Sequence, residues 1–319
     1  MKILIPDIID KEAVELLKNQ HEVTENELTP VELLEQISEF DAVLVRSRTK
    51  ITSEVISSGK YLKVIGRAGI GVDNIDVKTA TSKKIPVVFA PQGSTISVAE
   101  ATVAQILSLS RNLVKADITM KEGLWNKKKL MGTEIFGKTL GLIGLGRIGI
   151  EVAKRCQAFG MNVQAYDPYI SAENVKKFNI NLLNSKDELL SSSDVVSIHA
   201  ILTEETRNMI QYDDFKNMKS SALIVNFGRG GIINENDLVK ALLEKLIRGA
   251  ALDVYSEEPL PKNSFLRNNE ILLHLSPHIG ASTKEAQKRA GTIVVEEMLK
   301  VLSDKKPEFC VNKEIFDNS

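Results

Sequence analysis

The chain has 319 residues, 43% of them hydrophobic and 26% charged, the balance of a folded globular protein of about two domains at ~100–200 residues each. Its 41 Lys+Arg against 42 Asp+Glu leave a net charge of −1, which offers no bulk attraction to a polyanion and argues against nucleic acid as a partner. Two cysteines, Cys156 and Cys310, are too few for a disulfide framework or a four-cysteine zinc site, and no stretch reaches the ~18 apolar residues of a membrane span.

Pro6 and Asp7 cut the N-terminal apolar run short of a signal peptide, so a reduced, cytoplasmic protein is expected, with no metal and no membrane contact. Residues 2–6 predict a strand, 11–18 a helix and 41–46 a second strand, with Thr52 placed to cap the short helix that follows. Residues 62–66 and 85–90 predict further strands around a helix near 77–83. Continuous apolar strands separated by helices imply a parallel sheet covered on both faces.

Pro91-Gln92-Gly93-Ser94 punctuates the chain and marks a domain boundary. A long helix is expected over 97–114, with Val98, Ala99, Val103, Ile106, Leu107 and Leu113 on one face. Residues 123–137 read as irregular and basic, with Trp125 and the run Lys127-Lys128-Lys129. From Lys138 the alternation resumes, with strands predicted at 139–143, 162–166, 194–199, 222–226, 249–254 and 271–273. The fold class is α/β.

Residues 139–143 run into Gly144-Leu145-Gly146-Arg147-Ile148-Gly149, and a helical stretch then leads to a strand ending at Asp167. This is G-x-G-x-x-G between a strand and a helix. Gly144 permits the tight turn, Gly146 lets the backbone approach a pyrophosphate, and Gly149 allows close packing of the helix, whose positive N-terminus faces the anion. Asp167 stands 23 residues beyond Gly144, where a carboxylate binds ribose hydroxyls and repels a 2′-phosphate. NAD is therefore the expected cofactor.

Hydride chemistry on a nicotinamide needs a proton acceptor and an orienting group from the protein. Of the four histidines, His21 suits a solvated turn, His199 a packed strand end and His274 a satisfied core site. His278 differs, lying in Ser276-Pro277-His278-Ile279-Gly280-Ala281-Ser282 after a strand and before a helix. That is where ligands of open α/β sheets bind, although a helix-capping loop histidine reads the same way. Two other strand-end loops add to it. Phe227-Gly228-Arg229-Gly230-Gly231 sets one arginine among glycines, suited to gripping a carboxylate, and Asp253 to Pro259 places acids where one can orient an imidazole.

With Val45-Arg46-Ser47-Arg48-Thr49, Gly66-Arg67-Ala68-Gly69-Ile70-Gly71-Val72-Asp73-Asn74 and Met131-Gly132-Thr133-Glu134, these motifs resemble the D-isomer-specific 2-hydroxyacid dehydrogenase family over nearly the whole chain. The resemblance implies a Rossmann dinucleotide-binding domain, residues 94–284, inserted in a flavodoxin-like α/β substrate domain, residues 1–93 and 285–319, with a hinge where the chain crosses twice. It implies that Arg229 binds the substrate carboxylate, Glu258 partners the histidine and His278 exchanges the proton. Asp253 is expected on the nicotinamide amide, Arg147, Ile148 and Asp167 on the rest of NAD, and Phe227 and Gly228 beside the nicotinamide ribose, with Gly280 and Ala281 as further cofactor contacts. Arg46, Arg48 and Arg67 become candidates for a substrate carboxylate or phosphate, and Lys127 for the neighbouring subunit's site.

The implied reaction is NAD-dependent oxidation of 3-phospho-D-glycerate to 3-phosphohydroxypyruvate, opening serine synthesis. Reduction of glyoxylate or hydroxypyruvate is the other enzyme reading, and an NAD-sensing binding protein the reading from another class. A homodimer through the helix near 97–114 and the basic segment after it is also implied. Ile70 and Ala200 stand where relatives often carry threonine, and Gly228 where they carry alanine or serine, a mild change. With the chain stopping at Ser319, the C-terminal serine-sensing domain of longer relatives is not expected here.

Overall fold

Short β-branched runs with apolar side chains on both faces need cover on both sides, and the helices between them supply it. The computed structural model of the chain describes residues 1–268 and 270–317. By its contacts the chain divides into two compact units, one built from Met1–Thr95 and the chain from Ala281 onward, the other from Ile96–Gly280.

In the first unit the chain runs β1 (Lys2–Ile5), α1 (Lys11–Lys18), β2 (Glu22–Glu25), α2 (Pro30–Gln36), β3 (Ala42–Val45), α3 (Ser53–Ser58), β4 (Val64–Arg67), α4 (Val77–Ser82) and β5 (Val87–Phe89). The strands form a parallel sheet in the order β2-β1-β3-β4-β5. One face packs Leu4, Val43, Val45 and Ile65 against Leu33, Ile37 and Val55. Thr52 caps α3 through the amide of Val55, as the sequence predicts, and Thr29 and Glu32 close a capping box on α2 with Pro30 in its first turn. The edge strand β2 was not foreseen: Glu-Val-Thr-Glu lies largely exposed, without the apolar alternation that marks a buried strand.

The second unit follows with α5 (Thr95–Arg111) and α6 (Leu113–Lys121), then β6 (Thr139–Ile143), α7 (Arg147–Ala158), β7 (Asn162–Tyr166), α8 (Ala172–Lys176), β8 (Asn181–Leu182), α9 (Lys186–Ser192), β9 (Val195–Ile198), α10 (Tyr212–Asn217), β10 (Leu223–Asn226), α11 (Glu235–Leu243), β11 (Gly249–Leu252) and β12 (Leu273–Leu275). The helix expected over 97–114 is in fact two. Asn112 takes a left-handed conformation (φ 54°) and donates to the Leu130 and Met131 carbonyls, which breaks the helical ladder there. Strand β12 also begins two residues later than predicted, because Leu273 is the first residue to pair with β11, opposite Ala250.

All seven strands of this sheet are parallel, in the order β12-β11-β10-β9-β6-β7-β8. Counting from β6 the order is 3-2-1-4-5-6-7, the doubly wound Rossmann arrangement with its switch point between β6 and β9. The first sheet, in order 2-1-3-4-5, is the flavodoxin-like variant with its switch between β1 and β3.

The chain then returns to the first unit as α12 (Lys284–Leu302), which lays Val294, Val295 and Met298 on Ile3, Ile5 and Leu44. Glu297, buried within α12, accepts the amides of Glu308 (2.6 Å) and Phe309 (3.0 Å) and fixes the segment after the helix. Buried Asn312 then bridges to β5, its Oδ1 accepting the Val87 amide and its Nδ2 donating to the Ile85 carbonyl, both at 2.9 Å. No helix among the described residues is long and apolar enough to cross a membrane.

Candidate active site

The glycine loop sits at the switch point of the seven-stranded sheet. Gly144 has φ 86°, and a Cβ there would lie 2.7 Å from the Ala200 amide nitrogen, so both conformation and space demand glycine. Gly146 is different, because a Cβ on it would meet nothing within 4 Å. The space above that residue is open, and it begins α7 with no side chain capping the first-turn amides. An unobstructed backbone at an uncapped helix start fits a pyrophosphate.

Gly149 packs close beneath the turn, with Arg147 exposed and Ile148 partly exposed beside it. Asp167 ends β7 and accepts the Leu145 amide (2.8 Å) on one oxygen and the Tyr169 amide (3.0 Å) on the other. Its charge is thereby fixed beside the glycine loop, as an NAD ribose requires. These residues fit the cofactor.

Three neighbouring strands, β10, β11 and β12, end at the same edge and carry the remaining candidates. At the end of β10, the buried Asn226 accepts the Gly228 amide (3.0 Å) and donates to the Arg229 carbonyl (2.9 Å), which shapes the turn bearing Arg229. A Cβ on Gly230 would lie 1.8 Å from the Tyr255 carbonyl oxygen, and one on Gly228 would lie 2.8 Å from the Ala200 carbonyl oxygen. The glycine at 228, expected to be a mild departure, is thus matched to a close backbone approach.

After β11, Tyr255 is buried and its hydroxyl donates to the Ser276 carbonyl (2.8 Å) and the Leu252 carbonyl (3.1 Å). Burial pushes that phenol up to about 12, so it stays a donor. Asp253 is 2% exposed. One of its oxygens accepts the Ser276 hydroxyl (2.6 Å) and the Ile279 amide (2.9 Å), and the other accepts the Gly280 amide (2.7 Å). The carboxylate thus braces the loop that carries His278. Gly280 packs on this carboxylate and the Phe227 ring, with Ala281 next in the chain.

His278 itself adopts φ 52°, an uncommon conformation for a residue with a side chain, costing about 1–2 kcal/mol. The Asp253 and Tyr255 bonds hold it there. Its Nδ1 lies 2.7 Å from Glu258 Oε2, while Glu258 Oε1 accepts the Tyr255 amide (3.0 Å). Burial opposes ionisation of Glu258. The hydrogen bonds from His278 and the Tyr255 amide, with the charges of His278 and Arg229, outweigh it and hold the carboxyl below its ordinary value. An ionised Glu258 accepts a hydrogen bond from Nδ1–H and leaves Nε2 as the basic nitrogen of the neutral ring.

The other histidines lie elsewhere. His274 is buried with Nδ1 3.1 Å from Gln105, and burial lowers its pKa. His199 bonds the Ser197 hydroxyl at 2.8 Å, its Nδ1 is buried without a partner, and burial pushes its pKa well below the usual histidine range.

Arg46, Arg48 and Arg67 belong to the first unit, at the ends of β3 and β4. The Arg48 fork is engaged by Asp7 (3.0 Å), Glu27 (3.2 Å) and the Pro6 carbonyl. The Arg67 guanidinium folds over Gly69, into the space a side chain at 69 would fill. Lys127 opens an exposed 3₁₀ turn, Lys127–Leu130, in the second unit. Sequence reasoning missed Asn226, Tyr255, Ser276 and Asp7. Asn226 had a signal, as a polar residue closing an apolar strand just before the Phe-Gly-Arg turn.

Comparison with known proteins agrees with this architecture. Residues 103–280 match the family described as D-isomer specific 2-hydroxyacid dehydrogenase, NAD binding domain. The chain is 48% identical over 313 residues to a D-3-phosphoglycerate dehydrogenase of Methanocaldococcus jannaschii, covering 98% of this chain but 59% of that protein. It is 44% identical over 305 residues to a hydroxypyruvate reductase of Thermotoga maritima, covering 94% and 98% respectively. The crystal structure of TT0316 protein from Thermus thermophilus superposes with a TM-score of 0.90 at 32% identity, covering 98% of this chain and all of that one. A Rossmann sheet with the NAD fingerprint at its switch point, a family match over residues 103–280 and a relative at 44% identity covered over 98% of its length make this chain a member of the D-isomer-specific 2-hydroxyacid dehydrogenase family.

Proposed function

We propose that the protein oxidises 3-phospho-D-glycerate to 3-phosphohydroxypyruvate, the step expected to open serine synthesis, with His278 as the proton acceptor. The observation that carries this is the 2.7 Å His278–Glu258 contact at the ends of strands adjoining the Arg229 turn. Bound NAD supplies a nicotinamide carbon that accepts the hydride leaving C2. His278 Nε2 takes the proton of the C2 hydroxyl as that C–H bond breaks, and Glu258 stabilises the imidazolium through Nδ1. Arg229 pairs with the substrate carboxylate and polarises the oxygen that becomes the carbonyl. Asp253 and Tyr255 keep the His278 loop in place, and Phe227, Gly228, Gly280 and Ala281 line the nicotinamide end.

The first unit would serve as the substrate-binding domain, with Arg46 and Arg67 as candidates for the phosphate and the Arg48 fork held by Asp7 and Glu27. The 48% identity to a D-3-phosphoglycerate dehydrogenase supports the phosphorylated substrate, although the chain spans 59% of that relative's length. A hydroxypyruvate reductase is the second reading, favoured by the Thermotoga maritima relative, 98% of whose length is covered. NADH oxidation compared across 3-phosphohydroxypyruvate, hydroxypyruvate, glyoxylate and pyruvate separates the two. The first reading expects the highest kcat/KM with the phosphorylated acid, and a preference for hydroxypyruvate would replace it with the second.

A homodimer is part of this reading. Helix α6 buries no residue, and it is followed by Trp125 (80% exposed) and Met131 (83% exposed), an apolar surface that a second copy would cover. Lys127, on the same stretch, would then reach toward the partner's site. Light scattering is expected to give twice the chain mass at micromolar concentration. The two buried cysteines suit a reducing cytoplasm.

A further inference from the structure

The switch point of the first sheet lies between β1 and β3, and ligands of such sheets enter the crevice beyond the strand ends there. Asp7 stands in that crevice, only 6% exposed. Its Oδ2 accepts the amides of Arg46 (2.6 Å) and Thr49 (3.4 Å), and its Oδ1 accepts the Thr49 hydroxyl (2.7 Å) and Arg48 Nε (3.0 Å). Asn74 grips the same loop from the other side, Nδ2 donating to the carbonyls of Arg46 (2.7 Å) and Thr49 (2.6 Å). Both ends of the four-residue loop are therefore pinned. The guanidinium of Arg46 and the amides of Ser47 and Arg48 make no hydrogen bond among the described residues.

The pattern sorts the loop's positive groups. Asp7 neutralises Arg48 and draws it down, while the Arg46 side chain stays partly exposed and uncommitted beside two open amides. A short loop that exposes one guanidinium and successive N–H groups suits a dianionic oxyanion, and pinning it beforehand removes the ordering cost of binding. We propose that Asp7 is a positioning residue for phosphate recognition, holding the Arg46–Thr49 loop so that it selects phosphorylated over unphosphorylated 2-oxo acids. The proposal rests on the phosphorylated-substrate reading and adds to it a residue that does not itself meet the substrate.

The test compares 3-phosphohydroxypyruvate with hydroxypyruvate at saturating NADH in Asp7→Asn, Thr49→Val and Arg46→Gln variants. Asp7→Asn is expected to raise KM for the phosphorylated acid about tenfold, as for loss of a charge-assisted bond, with kcat and the KM for hydroxypyruvate moving less than about twofold. Thr49→Val removes one Asp7 contact and should give the same selectivity at about threefold, which keeps the test open should Asp7→Asn fail to fold. Equal losses on both substrates, or no loss in either variant, would overturn the proposal. If those results come while Arg46→Gln still penalises the phosphorylated acid selectively, the phosphate reading stands and only the role of Asp7 falls. An Arg46→Gln variant without selectivity overturns both.

Discussion

The two sheets end in edges built on opposite plans. At the switch point of the seven-stranded sheet the chain withdraws its side chains: Gly144 turns where only glycine fits, and Gly146 exposes bare backbone at the start of α7. At the switch point of the five-stranded sheet the crevice is filled by side chains, with Asp7 and Asn74 cross-bracing a loop rich in arginine. The first plan suits a pyrophosphate met by main-chain amides and a helix terminus. The second suits a small anion recognised by side-chain geometry, where selectivity depends on how firmly the gripping groups are held. Between them in character lies the β10–β12 edge, where glycines make the room and Asp253, Tyr255 and Asn226 do the bracing.

Substitutions probe this contrast. The largest effect is expected at the braced edge, where His278→Ala should lower kcat by about 10²–10⁴-fold while leaving NADH affinity near its starting value, read by steady-state kinetics and NADH fluorescence titration. Wild-type turnover would remove His278 from the mechanism. At the withdrawn edge two glycines should behave differently. Gly144→Ala is expected to cost about 2–4 kcal/mol of unfolding free energy in urea, because it adds strain and a backbone clash. Gly146→Ala should leave the stability of the apoprotein nearly unchanged yet weaken NADH binding, since its Cβ meets only the open space above the loop. Equal destabilisation by both would mean that Gly146 serves folding.

The smallest effect concerns acid. Burial holds His199 well below the ordinary histidine value of about 6.5, so beneath that value the unfolded chain binds the proton more readily than the native one. Its contribution is complete above about pH 6.5 and is lost as pH falls, with a slope of at most about 1.4 kcal/mol per pH unit. Glu258 acts in a lower window. Its depressed carboxyl stabilises the fold above its ordinary 4.5, and that contribution disappears as pH falls through the lowered value. Urea midpoints at pH 7 and pH 5 should therefore differ less in His199→Gln than in the unsubstituted protein.

Much of this organisation is legible from the sequence, for identifiable reasons. The β6–Gly144–α7 unit is local, so its apolar strand, glycine spacing and Asp167 all fall within one stretch. Arg229, Glu258 and His278 are recognisable because each follows an apolar run that ends in polar or glycine residues. The bracing is not legible. Asp253 holds Gly280 across 27 positions and Asp7 holds Thr49 across 42, and such pairings exist only once the strands are side by side. The break at Asn112 is equally hidden, since its helical surroundings favour continuation and the left-handed turn is paid for by distant Leu130 and Met131 carbonyls.

The crossing of the chain back into its first unit has a consequence for the order of assembly. Ile3, Ile5 and Leu44 find their cover in Val294, Val295 and Met298, and β5 is secured through Asn312, more than two hundred positions downstream. During synthesis from the N-terminus, one face of the earliest sheet is covered by α1 alone until α12 emerges, while the segment from Ile96 to Gly280 already carries all the strands of its own sheet. The nucleotide-binding half can thus form before the half that precedes it in the chain, and a ribosome pausing short of α12 leaves a sticky apolar sheet face for a chaperone to shield.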